Sequence, residues 1–156
     1  MTNEQTFVIV GASLAGAKAV ETLRGDGFDG RLVLIGAEHE RPYERPPLSK
    51  DYLRGEAGRE KIYVHDEGFY AEHDIELRLG RTATGLNTTA RELTLDDGEQ
   101  LRYTRLLLTT GAEPRRLQIP GSELEGVLYL RSVEDSDTLR ERLWDIEALP
   151  YATLAS

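Results

Sequence analysis

The run Val8-Ile9-Val10-Gly11-Ala12-Ser13-Leu14-Ala15-Gly16 sets two glycines and a serine directly behind an apolar stretch. A strand that ends in a tight glycine turn and enters a helix gathers free backbone N–H groups and the positive helix end at one point. That point suits a pyrophosphate. In such a turn the first glycine bends the chain, the middle one lets backbone approach the phosphates, and the last allows close helix–sheet packing. Ser13 stands where the middle glycine belongs. Its side chain is the smallest after Gly and Ala, so approach is hindered only slightly, and its hydroxyl can donate to a phosphate oxygen. The competing reading is a glycine-rich helix–strand contact in another α/β fold. Placement inside a β-α-β unit favours the phosphate loop.

Glu38 lies 22 residues beyond Gly16, the distance at which a carboxylate accepts hydrogen bonds from an adenosine ribose. A solvated loop acid is the alternative, and Glu40 is close by. Arg45-Pro46-Pro47-Leu48-Ser49-Lys50 flanks a rigid proline pair with two cations, which can stabilise negative charge on phosphates or a cofactor ring. Taken alone, it reads equally as a capped surface helix with Lys50 in solvent. His39, His65 and His73 form no metal-ligand spacing. Ser13 and Ser49 lack the surroundings of a nucleophile elbow. No catalytic residue and no metal ligand is assigned.

These groups need elements to hold them. Thr6–Val10 reads as a buried parallel strand, residues 13–24 as a helix stopped by Gly25 and Gly27, and Arg31–Ile35 as a second strand. Pro47 is placed to open a short helix through Leu53, and Asp66 to cap another through Glu72. From Ile75 the pattern alternates: Ile75, Leu77 and Leu79, then Leu93 and Leu95, with a turn at Asp96-Asp97-Gly98 and a return through Leu101 and Tyr103. This predicts a partly exposed antiparallel excursion beginning at Ile75. Leu106-Leu107-Leu108 returns to the parallel sheet. A turn at Ile119-Pro120-Gly121, a short strand over 127–130 and a charged helix over 136–146 follow, with Trp144 as a packing anchor on the helix. Residues 149–156 match no element.

The chain has 156 residues, 39% of them hydrophobic and 30% charged, a globular composition. It has no cysteine, which excludes disulfides, thiolate metal sites and redox-active disulfides. Its net charge is −9 with dispersed arginines, which argues against a general nucleic-acid binder. No apolar run approaches bilayer length, and no basic region precedes the first one, so a cytoplasmic location is expected and a membrane role is not.

Together, VIVGASLAG, the stretch RPYERPPLSK from Arg41 to Lys50, and LLLTTGAEPR from Leu106 to Arg115 resemble, in order and spacing, the FAD-dependent ferredoxin reductases that use NAD(P)H. That family includes the putidaredoxin, rubredoxin and dioxygenase-system reductases within the pyridine nucleotide-disulfide oxidoreductases. The resemblance runs from about residue 6 to 145, and RPPLSK is its most specific element. It implies an α/β fold: a Rossmann-like FAD-binding domain whose parallel sheet carries a small antiparallel β excursion. It implies FAD-binding roles for Gly11, Ser13, Leu14, Ala15 and Gly16 at the pyrophosphate and for Glu38 at the ribose. Arg45 is implied near the phosphates and Lys50 by the isoalloxazine ring. Ala83 is implied at the adenine through its backbone. Thr110 and Gly111 match a family Ala-Thr-Gly turn in which Thr109 replaces the alanine. Arg131 either contacts FAD or pairs with Glu134 or Asp135.

The expected function is electron transfer from NAD(P)H through FAD to a ferredoxin-like iron–sulfur protein. Residues 1–115 are read as an incomplete FAD domain, 116–150 as a connector toward an NAD(P)-binding domain, and 151–156 as a tail. No second glycine loop follows. The chain is therefore expected to be a fragment that, in isolation, binds FAD weakly or not at all and cannot oxidise NADH. The alternative is a truncated FAD- or nucleotide-binding module without turnover. A plain NAD-binding dehydrogenase domain would need neither RPPLSK nor LLLTTG.

Overall fold

The computed structural model describes residues 5–147, with side chains through Leu143. Two compact units divide these residues: one formed by residues 5–44 with Tyr63–Gly111, the other by Arg45–Ile62 with residues 112–147.

The first unit is built on four parallel strands. They are β1 (Thr6–Val10), β2 (Arg31–Gly36), β3 (Ile75–Leu79) and β7 (Arg105–Leu108), in the order β3-β2-β1-β7. Between β1 and β2 runs helix α1 (Leu14–Gly25), and the one-turn helix α2 (Phe69–Glu72) precedes β3. Three further strands, β4 (Ala83–Asn87), β5 (Glu92–Leu95) and β6 (Gln100–Arg102), form a separate antiparallel sheet.

The unbroken apolar runs of β1 and β2 follow from burial on both faces. On one face Ile9, Leu32, Leu34 and Ile75 pack with Val20 of α1 and Tyr70 of α2. On the other, Val8, Val10, Val33 and Ile35 pack against Leu93, Leu95 and Leu101 of the antiparallel sheet.

Two expectations change here. Residues Ile75 to Leu79 do not open the antiparallel excursion; β3 pairs parallel with β2, Leu32 opposite Ile75 and Gly36 opposite Leu79. An edge strand with one covered face alternates just as a hairpin strand does, so its pattern did not name its partner. The antiparallel sheet, which starts at Ala83, is partly exposed as expected: Leu93, Leu95 and Leu101 are buried against the parallel sheet, while most of β4 and the ends of β6 are exposed. The expected helix from Asp66 is only the single turn of α2, capped at Gly68, with the Asp66 carbonyl accepting from Phe69 N–H at 3.2 Å.

In the second unit, Pro46–Ser49 form a 3-10 turn rather than a helix reaching Leu53. Helix α3 spans Val133–Glu147, starting three residues earlier than its hydrophobic pattern predicts. The cause is a reciprocal cap. The Asp135 carboxylate accepts from the backbone N–H groups of Arg131 and Ser132, both at 2.8 Å, and the Ser132 hydroxyl accepts from Asp135 N–H at 3.2 Å. The strand expected over 127–130 does not form; Val127 N–H closes a turn on the Leu124 carbonyl at 3.2 Å instead. Ser136, fully buried, donates to the Leu48 carbonyl at 2.8 Å and ties α3 to the proline turn. The side chain of Trp144 and residues 149–156 lie outside the described residues.

Candidate functional site

The glycine turn sits at the carboxyl end of β1, where open α/β sheets place their ligands. Gly11 has φ +116°, a conformation that side chains rarely adopt, and its N–H donates to the Ile35 carbonyl at 2.8 Å. A Cβ built on Gly11 would lie 2.1 Å from the Thr109 carbonyl oxygen. Gly16 fills the other demanding position: a Cβ there would lie 2.1 Å from the Gly11 carbonyl oxygen and 3.0 Å from Leu34 Cδ1. The first turn of α1 therefore rests against the glycine turn and β2 with no room for a methyl group.

Ser13, the N-cap of α1, has φ −123° and ψ −163°, ordinary extended backbone that does not require glycine. Its side chain makes no capping hydrogen bond, and the first turn of α1 contains no acidic residue. Leu14 and Ala15 are exposed. Most helix starts spend these orphan N–H groups and their partial positive charge on a side-chain cap or an acid. Here they remain available to an anion. Gly11 and Gly16 let strand, turn and helix close on one another, and the uncapped N–H groups at the helix start fit a diphosphate.

Glu38 stands beyond the end of β2, half-buried, and its carboxylate accepts from the Tyr43 hydroxyl. Its backbone carbonyl accepts from Gly80 N–H at 2.9 Å, so β2 and β3 jointly fix the loop that carries it. Ala83, half-buried, opens β4 opposite Leu95. Thr110 and Gly111 are exposed beyond β7, and Gly111 has φ +73°.

Two contributions had no counterpart in the sequence reading. Thr109 was noted only as a replacement for alanine. Its hydroxyl donates to the Gly11 carbonyl at 2.9 Å, with the Val10 carbonyl at 3.2 Å, and its N–H donates to the Val10 carbonyl at 2.7 Å. It latches the end of β7 onto the glycine turn. Tyr43, 2% exposed, positions Glu38. A hydroxyl in place of alanine beside the Thr110-Gly111 turn was the available signal for Thr109; nothing local marked Tyr43.

Arg45, Lys50 and Arg131 belong to the second unit. Arg45 donates through its guanidinium to the Arg131 carbonyl, so the fold joins two of these three positions. Lys50 is exposed and ends the proline turn, its N–H donating to the Pro47 carbonyl at 3.0 Å. Asp135 engages the backbone N–H of Arg131 as a helix cap. Nearby, Asp137 accepts from the Tyr52 hydroxyl at 2.6 Å and from Arg59 at 3.0 Å. Burial, followed by the bond to Asp137, pushes the Tyr52 phenol above its ordinary range.

A family model described as pyridine nucleotide-disulphide oxidoreductase matches residues 5–148. The chain is 44% identical over 137 residues to a 3-phenylpropionate/cinnamic acid dioxygenase ferredoxin–NAD(+) reductase component of Photorhabdus laumondii, covering 88% of this chain and 34% of that protein. It is 42% identical to a rubredoxin–NAD(+) reductase of Pseudomonas putida, covering 88% and 36%. Among solved structures, the ferredoxin reductase for the CYP199A2 system from Rhodopseudomonas palustris superposes with a TM-score of 0.85 at 37% identity, over 92% of this chain and 35% of that one. Putidaredoxin reductase in its covalent complex with putidaredoxin gives 0.82 at 36% identity, over 89% and 34%. The chain spans about a third of the length of these relatives. With the parallel sheet and the glycine turn in place, the chain belongs to the pyridine nucleotide-disulphide oxidoreductase family.

Proposed function

We propose that this chain is the FAD-binding portion of a cytoplasmic flavin-dependent oxidoreductase that passes electrons from NAD(P)H through FAD to a ferredoxin-like iron–sulfur protein. The observation that carries the reading is the uncapped start of α1 against a glycine turn that tolerates no Cβ at Gly11 or Gly16. The names of the relatives, ferredoxin–NAD(+) and rubredoxin–NAD(+) reductases, supply the donor and the class of acceptor.

When bound, FAD supplies the exchange of electron pairs for single electrons. The chain's own residues do the holding. The N–H groups of Leu14, Ala15 and Gly16 and the Ser13 hydroxyl donate to the pyrophosphate, assisted by the positive end of α1. Glu38, held by Tyr43, accepts from the ribose hydroxyls. The Ala83 backbone meets the adenine, and Thr110 and Gly111, set by the Thr109 latch, border the cofactor. By resemblance to the family, Arg45 would supply positive charge near the phosphates, Lys50 by the isoalloxazine ring and Arg131 to the cofactor.

Coverage of one third of the relatives' length favours a second reading for the chain taken alone: a nucleotide-binding fragment without turnover. Titration of the purified chain with FAD, followed by flavin fluorescence, tests the first reading. Any quenching is expected to be weak, and where it saturates it should weaken roughly ten-fold or more in Glu38→Ala through loss of a charged acceptor. Saturation indifferent to Glu38 would sink the FAD assignment, whereas no saturation would favour the fragment reading. Robust NADH-dependent reduction of an acceptor by the 156-residue chain would sink the fragment reading.

A further inference from the structure

The four-stranded sheet of the first unit ends on two unlike edges, β3 and β7. Edge strands present unpaired N–H and C=O groups, and folded proteins blunt them with charge, bulges or short length. β3 follows that rule: Glu76 and Arg78 stand on it in an ion-pair network with Arg31 and Glu99. In the antiparallel sheet, β4 carries a bulge between Ala83 and Gly85, and β6 is only three residues long with Gln100 and Arg102 exposed. β7 is blunted by none of these means. After Arg105 it reads Leu106, Leu107 and Leu108, with Leu107 43% and Leu108 57% exposed. Among the described residues, no strand pairs with its outer side.

The surroundings of that outer side are apolar above and below. Leu106 packs against the core between the two sheets. Leu107 lines a groove of about 530 Å³ beside α1, together with Phe7, Ile9, Ala19 and Leu23. A strand added here must be apolar on both faces, as an internal strand of a covered sheet is. Of the free edges among the described residues, β7 alone has that character, so the edge matches a second copy of itself.

The backbone supplies the register. Thr109 N–H donates to the Val10 carbonyl at 2.7 Å, and Val10 lies opposite Leu108. Peptide groups alternate along a strand, so those of Leu107 turn toward β1 and those of Leu106 and Leu108 turn outward. A two-fold axis normal to the sheet sets two β7 strands antiparallel and keeps each face on its own side. With that axis at Leu107, Leu106 of each copy exchanges both hydrogen bonds with Leu108 of the other. The two Leu107 residues meet as a non-hydrogen-bonded pair, with Cα atoms about 4.5 Å apart. The two Arg105 cations fall at opposite ends of the paired strands.

We propose that this chain forms a two-fold dimer in which β7 pairs antiparallel with β7 of a second copy, joining the two parallel sheets into one. The pairing does not depend on FAD.

Sedimentation velocity of the full chain at rising concentration tests it. A concentration-dependent dimer is expected, weak because four residues bury little area, and without larger species because pairing consumes the unblunted edge. Leu107→Lys should weaken dimerisation about ten-fold or more, by removing the central leucine contact and setting two cations across the axis. Leu108→Lys, at a more exposed position, should weaken it as well, whereas Leu86→Lys on β4, 45% exposed, should not. Circular dichroism identifies which variants are folded. Added salt should strengthen the dimer, because two copies of net charge −9 repel each other through solvent. A chain that stays monomeric at every concentration would overturn the proposal and leave the edge to a strand of another polypeptide. So would assembly beyond a dimer, weakening by salt, or folded Leu107→Lys and Leu108→Lys variants that dimerise no less than Leu86→Lys.

Discussion

The closeness of α1 to the glycine turn makes a prediction in which one substitution has opposite signs at two positions of one helix. Gly16 and Gly25 both lie in α1, and neither has a positive φ. On intrinsic propensity alone, alanine at an interior helix position gains about 0.8–1 kcal/mol over glycine. At Gly25 an added Cβ meets nothing within 4 Å. Gly25→Ala should therefore stabilise the chain by about 0.5–1 kcal/mol, reduced from the interior value because the residue ends the helix. At Gly16 the same Cβ lies 2.1 Å from the Gly11 carbonyl oxygen, a backbone atom that cannot rotate away. An ordinary carbon–oxygen contact needs about 3.3 Å, so the helix start must retreat by roughly 1 Å. Overpacking of this kind costs about 1–3 kcal/mol, which outweighs the propensity gain. The net cost of up to about 2 kcal/mol should lower the melting temperature of Gly16→Ala by up to roughly 8 °C, at about 2–4 °C per kcal/mol for a chain of this size. Urea denaturation followed by circular dichroism reads both variants. If Gly16→Ala were as stabilising as Gly25→Ala, α1 would not cross the turn at the distance described, and the fit to a diphosphate would fall with it.

Two further predictions rest on separate contacts. Thr109→Val keeps the shape but removes the hydroxyl that donates to the Gly11 carbonyl; it should cost about 1 kcal/mol in urea denaturation, while Thr109→Ser should retain most of the stability. Equal losses for Val and Ser would show that the methyl group, not the hydroxyl, is what matters. Glu76 of β3 tests pH dependence. Burial raises its carboxyl, but bonds from Arg78 and from Arg31 of β2 together outweigh this and hold it below the ordinary range. A carboxyl lowered on folding stabilises above its unfolded value, about pH 4.3, and loses that contribution as pH falls through its lower folded value. Because the side chain is 37% exposed, the effect is modest. Acid titrations of stability should show wild type above Glu76→Gln at pH 7 and the two curves merging in the acid range. A gap that persisted at pH 2 would refute the ionic account.

The strand, glycine turn, helix and second strand at the start of the chain were legible because each is a local pattern. An apolar run, a residue free to take φ +116° and small residues at helical spacing need no knowledge of distant partners. The serine at position 13 has extended backbone, which makes no conformational demand for glycine. Helix α3 was recognised but started late, because its cap depends on which side chains turn back on the backbone.

Pairing was not legible. Alternation along Ile75–Leu79 reports that one face is covered, and both a hairpin and the edge of a parallel sheet satisfy it; only packing beside β2 decided between them. The Thr109 hydroxyl finds Gly11 across 98 residues of sequence, and Arg45 finds the Arg131 carbonyl across 86. The sequence by itself determined where a glycine turn joins a buried strand to a helix. The tertiary structure decided which strands lie together and which side chains hold the turn, because hydrogen bonding and burial depend on proximity in space, which residue patterning encodes only over short range.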